Sequence, residues 1–120
     1  MRFAVGLLAI GLIAGTQSAQ AGDCVPGGPA PKLNSEIVNW SIAVVSGQVC
    51  LRGLRSSTMI LEGVTISVPA KVGEAKIQGY GFSYEAPRDF KGEDSFSVTV
   101  VGTNRGVRGN STIVVNVSVQ

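Results

Sequence analysis

The amino-acid sequence predicts an all-β fold, an antiparallel sandwich of about seven strands. Short segments rich in β-branched and aromatic residues recur along the chain, separated by Gly, Pro, Asn or Ser. Polar and apolar side chains alternate within these segments, and almost no helical periodicity follows residue 34. Strands with one polar and one apolar face are what two packed sheets require.

Residues 1–21 have the organisation of an export signal. Met1 and Arg2 precede an apolar run over residues 3–14, and a small-x-small cleavage motif ends at Ala21. The run is shorter than the ~20 residues of a membrane-spanning helix, so we expect no transmembrane segment after cleavage. The prediction is therefore a periplasmic or secreted protein.

Residues 22–34 contain Pro26, Pro29 and Pro31 and predict an extended lead-in without a core of its own. The sandwich is expected over residues 35–120. Its strands are predicted at residues 37–45, 49–54, 59–68, 74–78, 81–85, 95–103 and 112–119. The alternation is clearest in the sixth segment, where Phe96 and Val98 fall on the face opposite Ser95 and Ser97.

The chain has two cysteines, Cys24 and Cys50. With an export signal, this count indicates an oxidising compartment and one disulfide; two free thiols are the alternative. In the chain-entropy model, a bridge across this spacing contributes roughly 3 to 4 kcal/mol to the free energy of unfolding.

The second half of the chain carries a set of motif residues. The set consists of Pro69 and Gly73 in a predicted hairpin, Phe82 and Tyr84 on a short strand, Pro87, and Phe90, Gly92, Asp94, Ser95 and Phe96. Residues 64–119 on this basis resemble the bacterial Ig-like, cadherin-like repeat modules of surface and exported proteins. The resemblance implies a single Ig-like β-sandwich. The Asn-Asp calcium-type element of such modules is missing, and "RGLRSS" stands at residues 52–57 instead.

The motif predicts a structural corner before the sixth strand. Phe90 is interpreted as a plug beneath the corner, and Gly92 as a turn position where a Cβ would clash. Asp94 is expected to accept backbone hydrogen bonds from that turn, and Phe96 to enter the core. Calcium binding by Glu93 and Asp94 is the functional alternative, but a hard cation takes about six or more oxygens.

Two similar tetrapeptides, "RGLR" at residues 52–55 and "RGVR" at residues 105–108, are the most suggestive binding feature. In an Ig-type sandwich these loops and the turn containing Tyr80 emerge at one end. The resemblance therefore implies a basic tip for carboxylate, phosphate or sulfate groups, formed by Arg52, Arg55, Tyr80, Arg105 and Arg108. The alternative is that these arginines are solvated loop charges.

Trp40 has two interpretations, a carbohydrate-stacking platform or a residue packed against the sandwich and the disulfide, and the second is favoured. Phe82 and Tyr84 are two residues apart and are expected in the core. The chain contains no histidine, which removes the commonest general base and transition-metal ligand. No catalytic, phosphate-binding or metal-binding motif is found, so no enzyme activity, cofactor or metal is expected.

The net charge of +2 is too balanced to predict nucleic-acid binding. The favoured prediction is an exported, monomeric, non-catalytic binding or structural module, whose partner is a protein or an anionic glycan or lipid headgroup. The alternative is a periplasmic inhibitor or assembly factor that pairs an edge strand with a partner protein. The uncharged segment 113–119 fits such an edge, and it fits a central strand equally well.

Overall fold

The described part of the chain forms seven strands in two sheets. The computed structural model describes Cys24 and residues 26–120; the predicted signal peptide and its cleavage site lie outside the described residues. The strands are β1 (Ile37–Val44), β2 (Val49–Gly53), β3 (Met59–Val68), β4 (Glu74–Gln78), β5 (Gly81–Glu85), β6 (Gly92–Asn104) and β7 (Val107–Val119). The described residues include no helix capable of crossing a membrane.

One sheet has the strand order β1-β7-β6-β3 and the other has the order β2-β5-β4. β1 pairs with β7 in parallel, and every other pairing between strands is antiparallel. The predicted all-β sandwich is confirmed. β1 to β5 match their predicted bounds to within one residue, whereas β6 and β7 are longer than predicted.

Six of the nine extra residues of β6 and β7 lie beside the connection between the two strands, and the other three, residues 92–94, begin β6. Asn104 pairs with Val107, which leaves a two-residue turn of Arg105 and Gly106. Both turn residues have positive φ, 52° and 83°. Type I′ turns need this conformation at both central positions, and they suit the twist of paired strands.

The core lies between the two sheets. It is formed by the apolar face of each strand, which the alternation of polar and apolar residues predicted. β6 and β7 supply Val98, Val100, Ile113, Val115 and Val117, all fully buried. Fully burying a side chain of this size stabilises the fold by about 1.5–3 kcal/mol. The apolar periodicity of these two strands is thus the main sequence determinant of the sandwich.

An aromatic cluster joins the three-stranded sheet to β6. The Phe82 and Phe96 rings meet edge to face with centroids 5.2 Å apart, and the Tyr84 and Phe96 rings stack at 5.8 Å. All three side chains are buried, so the prediction that Phe82 and Tyr84 are core residues is confirmed.

The lead-in runs along β1 and is joined to both sheets. Cys24 forms a disulfide with Cys50 of β2, as predicted. Gly27 and Ser41 of β1 exchange two backbone hydrogen bonds, each 2.9 Å long. Leu33 is 3% exposed and joins the sandwich core. The lead-in therefore contributes to the packing of the domain.

A carboxylate holds the end of the lead-in in place. Glu36 accepts hydrogen bonds from the Lys32 amide at 2.7 Å, the Asn34 amide at 3.3 Å and the Ser111 hydroxyl. Burial acts to raise the pKa of Glu36, but these hydrogen bonds outweigh it and the pKa is lowered. Leu33 has a positive φ of 61°, which is uncommon for a residue with a Cβ. The hydrogen bonds at Glu36 and Ser111 offset that conformational cost.

Candidate functional site

Three connections meet at one end of the sandwich. They are the β2–β3 loop (residues 54–58), the β4–β5 turn (residues 79–80) and the β6–β7 turn (residues 105–106). The Leu54 amide donates to the Tyr80 carbonyl at 3.0 Å, and the Arg105 amide donates to the Thr58 carbonyl at 3.1 Å. These backbone bonds bring both Arg-Gly-x-Arg elements to the same end, which we call the loop tip.

Arg52, Arg55 and Tyr80 lie together on the side of the loop tip formed by the three-stranded sheet. The Arg55 guanidinium lies over the Tyr80 ring, 5.5 Å from its centroid. A cation at this distance is attracted by the negative face of the ring. Arg52 stands directly across from Phe82 on the neighbouring strand and is exposed. The contact with Tyr80 thus positions the Arg55 guanidinium, whereas the Arg52 side chain extends into solvent.

A shallow groove of about 720 Å³ runs between these side chains. Its lining includes the exposed apolar surface of Leu51 and Tyr80. Arg52, Arg55 and Gln78 supply its polar lining. The groove can therefore offer two guanidinium groups and an apolar surface to one ligand.

The other two candidate arginines have different surroundings. Arg105 occupies the β6–β7 turn at the end of the loop tip and is exposed. Arg108 contacts Glu62, with its Nε and Nη2 each 3.0 Å from the Glu62 Oε1. Because Arg108 pairs with Thr103, it lies on the outer side of the four-stranded sheet. The structure thus separates Arg108 from Arg52, Arg55 and Tyr80, although the sequence grouped all of them.

Uncompensated positive charge is concentrated at the loop tip. Only two ion pairs form within the part of the chain that the structure describes, Lys76 with Glu74 and Arg108 with Glu62. Arg52, Arg55 and Arg105 have no carboxylate partner among those residues. The opposite end, which we call the far pole (residues 69–74 and 85–93), carries more carboxylates than basic side chains. The two ends of the sandwich therefore differ in charge.

The motif residues at the start of β6 and just before it form a structural corner. Gly92 has a φ of 148°, and a Cβ there would lie 3.2 Å from the Phe90 ring. Phe90 is partly buried and packs against the core, which Phe96 enters at 1% exposure.

Asp94 has a different role from the one expected, because most of its hydrogen bonds come from another turn. Its Oδ1 accepts from the Lys71 amide at 3.0 Å, and its Oδ2 accepts from the Val72 and Gly73 amides at 3.2 and 2.8 Å. These amides belong to the β3–β4 connection. Within its own segment, Asp94 accepts only the Ser95 amide. The carboxylate therefore links β6 to a connection that joins the two sheets.

Tyr84 completes this network by donating its hydroxyl to the Asp94 Oδ2 at 2.7 Å. Burial raises the pKa of Tyr84 above its usual value, and the hydrogen bond to Asp94 and the charge of Asp94 raise it further. Burial also acts to raise the pKa of Asp94, but the hydrogen bonds it accepts lower that pKa overall. Both Asp94 oxygens are engaged by donors, which leaves the calcium alternative without its central ligand.

Trp40 is 8% exposed and belongs to the buried core cluster. Its indole nitrogen donates to the Pro29 carbonyl at 2.7 Å, which fixes the lead-in against β1. A carbohydrate would need access to the face of the ring, so the stacking-platform interpretation is wrong and the packing interpretation is supported.

No protein-family model matches this chain, and no curated protein matches it either. The resemblance to Ig-like, cadherin-like repeat modules therefore stays a prediction.

Proposed function

We propose that this chain is an exported, non-catalytic binding module whose loop tip binds anionic groups through Arg52, Arg55 and Arg105. The observation that carries the proposal is that these three exposed arginines have no carboxylate partner among the described residues, while Arg108 has one. A guanidinium presents a planar set of donors that matches the oxygens of sulfate, phosphate and carboxylate. The candidate ligands are therefore acidic glycans and anionic lipid headgroups.

The backbone of the loop tip is held in place before a ligand binds. Hydrogen bonds join the β2–β3 loop to each of the two turns beside it. Tyr80 also stacks with Arg55, which limits the positions available to that side chain. Binding to an ordered surface costs less conformational entropy than binding to a mobile one. A single exposed ion pair contributes only ~0.2–1 kcal/mol, so a ligand with repeated anionic groups suits this tip best.

Retention on a dextran sulfate resin tests the proposal, with neutral dextran as the control resin. We expect wild-type protein to be retained at low salt and released as salt screens the charges. The variant R52Q/R55Q removes the two guanidinium groups of the groove and should bind about tenfold more weakly, the equivalent of about 1.4 kcal/mol. A lipopolysaccharide-coated resin, run in parallel, distinguishes a lipid headgroup from a sulfated glycan.

Two matched variants control for the change in net charge. R88Q/K91Q removes the same charge from the far pole and should leave retention unchanged. R108Q removes an arginine already paired with Glu62 and should have a smaller effect than either R52Q or R55Q alone. Equal losses in all variants would indicate bulk charge, and salt-insensitive retention would remove the loop tip from consideration.

Pairing of an edge strand with a partner protein receives less support from the topology. β7, whose uncharged segment 113–119 suggested it, lies between β1 and β6 and has no free edge. β3 is an edge strand, but its register with β6 shifts twice, at Leu61/Gly63 and at Ile66/Val68. Such bulges interrupt the regular row of backbone groups that an added strand needs. Neither β7 nor β3 therefore favours edge pairing, and the loop tip is the preferred site.

A further inference from the structure

The outer face of the four-stranded sheet carries almost no charge. Strand register places Thr65, Thr99, Thr112 and Ile37 in one row across its centre. The rows on either side consist of Val, Ser, Asn and Gly. Charged residues appear only at the ends, with Arg108 and Glu62 near the loop tip. The outer face of the three-stranded sheet, in contrast, carries Glu74, Lys76 and Glu85.

Three of the large exposed aliphatic side chains of the domain lie on this uncharged face. Ile60 is 71% exposed and pairs with Thr103 near the loop tip, and Val68 is 51% exposed at the other end of the same strand. Ile37 is 67% exposed and belongs to the central row. A two-fold axis across the strands, midway between the rows of Thr103 and Ser97, would set Ile60 of one copy against Val68 of another. The same axis would bring the two copies of Ile37 to within about two residues of each other along the strands.

We propose that this face docks on the same face of a second copy of the chain, with the strands of the two copies antiparallel. Four strands at ~4.8 Å spacing, over about seven residues each at ~3.3 Å per residue, cover roughly 450 Å² per copy. The total of ~900 Å² is just below the ~1,000 Å² of a stable specific interface, so the dimer is weak and reversible. Twisted sheets that pack face to face keep their strand directions within about 30° of each other, as this arrangement would.

The chemistry of the face favours a copy of itself over other partners. A hydroxyl is both donor and acceptor, so rows of Ser and Thr can hydrogen-bond to identical rows, whereas rows of like charge repel. A glycan-binding face is usually supplied with aromatic rings, and the outward positions of this sheet have none, because Trp40 points into the core. The antiparallel arrangement also holds the two basic loop tips apart.

The sequence alone predicted a monomer. The outer face consists of four strands that are separated in the sequence, so it can be recognised only when the register of these strands is known. The proposal does not depend on ligand binding at the loop tip.

Sedimentation equilibrium of the full exported chain tests the proposal between about 10 µM and 1 mM, the range suited to a small interface. The mass of the wild type should rise toward twice the monomer mass. The variant N39E/T65E places charges at two exposed positions of the face and should stay monomeric throughout. V49E/L51E introduces the same charges on the outer face of the other sheet, where both side chains are exposed, and should dimerise like the wild type.

Crosslinking tests the orientation of the two copies. I60C and V68C are purified separately, mixed, and treated with a short thiol-specific crosslinker. The antiparallel arrangement predicts that the mixed I60C–V68C product forms several times more than either product of one variant with itself. A wild type that stays monomeric at 1 mM, or N39E/T65E dimerising as well as the wild type, would overturn the proposal. A predominant I60C–I60C product would overturn the antiparallel orientation.

Discussion

Replacing Asp94 by Asn should strongly destabilise the domain, because it breaks a network that joins β6 to the β3–β4 connection. The two carboxylate oxygens accept hydrogen bonds from four backbone amides and the Tyr84 hydroxyl, at distances of 2.7 to 3.2 Å. Asn has a single acceptor oxygen, and its NH₂ group must face at least two of the donors. Each bond lost to a charged acceptor is worth ~1.5–3 kcal/mol, and partial hydration of the exposed turn offsets some of it.

We therefore expect D94N to lower the free energy of unfolding by about 3 kcal/mol, a large part of the 5–15 kcal/mol typical of a domain. Urea unfolding, followed by the fluorescence of the buried Trp40, measures this loss. The midpoint should fall by about 1 to 3 M. Y84F removes one bond to the same carboxylate and should cost about 1–2 kcal/mol. D94N/Y84F should cost less than the sum of the two single losses, because both disrupt one network.

The pH dependence gives a second measure of the same network. Because the pKa of Asp94 is lowered in the folded state, its contribution is present above its unfolded pKa of about 3.9 and is lost as pH falls through the folded value. The difference between the wild type and D94N should therefore shrink below about pH 4. A loss under 1 kcal/mol for D94N, or a difference that does not change with pH, would refute the role assigned to this carboxylate.

Two further predictions concern the disulfide and the structural corner. Replacing both Cys24 and Cys50 by Ala should lower the free energy of unfolding by about 3.5 kcal/mol in the chain-entropy model, because the two cysteines are 26 residues apart. Differential scanning calorimetry should show a lower Tm for this variant. An unchanged Tm would contradict the prediction. G92A should cost about 1–3 kcal/mol, because Gly92 has a positive φ and its Cβ would contact Phe90. The control is G53A, because a Cβ at Gly53 meets nothing within 4 Å. In urea unfolding, G53A should change the free energy of unfolding by less than about 0.5 kcal/mol. Equal losses for G92A and G53A would argue against the structural corner.

Local patterns in the sequence were enough to predict the sandwich. Alternation and β-branched residues identified all seven strands, because both features follow from one buried and one exposed strand face. The β6–β7 turn was predicted too long. The pair Arg105 and Gly106 adopts positive φ at both positions, and Arg is an unusual residue for the first of them.

The features missed from sequence depend on contacts between distant segments. Asp94 was expected to bind its own turn, but its main donors lie more than 20 residues earlier, at Lys71 to Gly73. Glu62 lies 46 residues before Arg108, and nothing local indicates that the two form a pair. The burial of Leu33 was missed because the lead-in has no periodicity to reveal it. The convergence of the loops at one end could be predicted because the resemblance to Ig-like modules implies it.

The most direct test of the loop tip as an anion-binding site is a titration of the ¹⁵N-labelled chain with a sulfated dextran oligosaccharide, followed by NMR. The proposal predicts that amide shifts change progressively at residues 52–58, 79–80 and 105–106, that the changes diminish in R52Q/R55Q, and that high salt reverses them. Shifts confined to the far pole, or no shifts at saturating oligosaccharide, would contradict it.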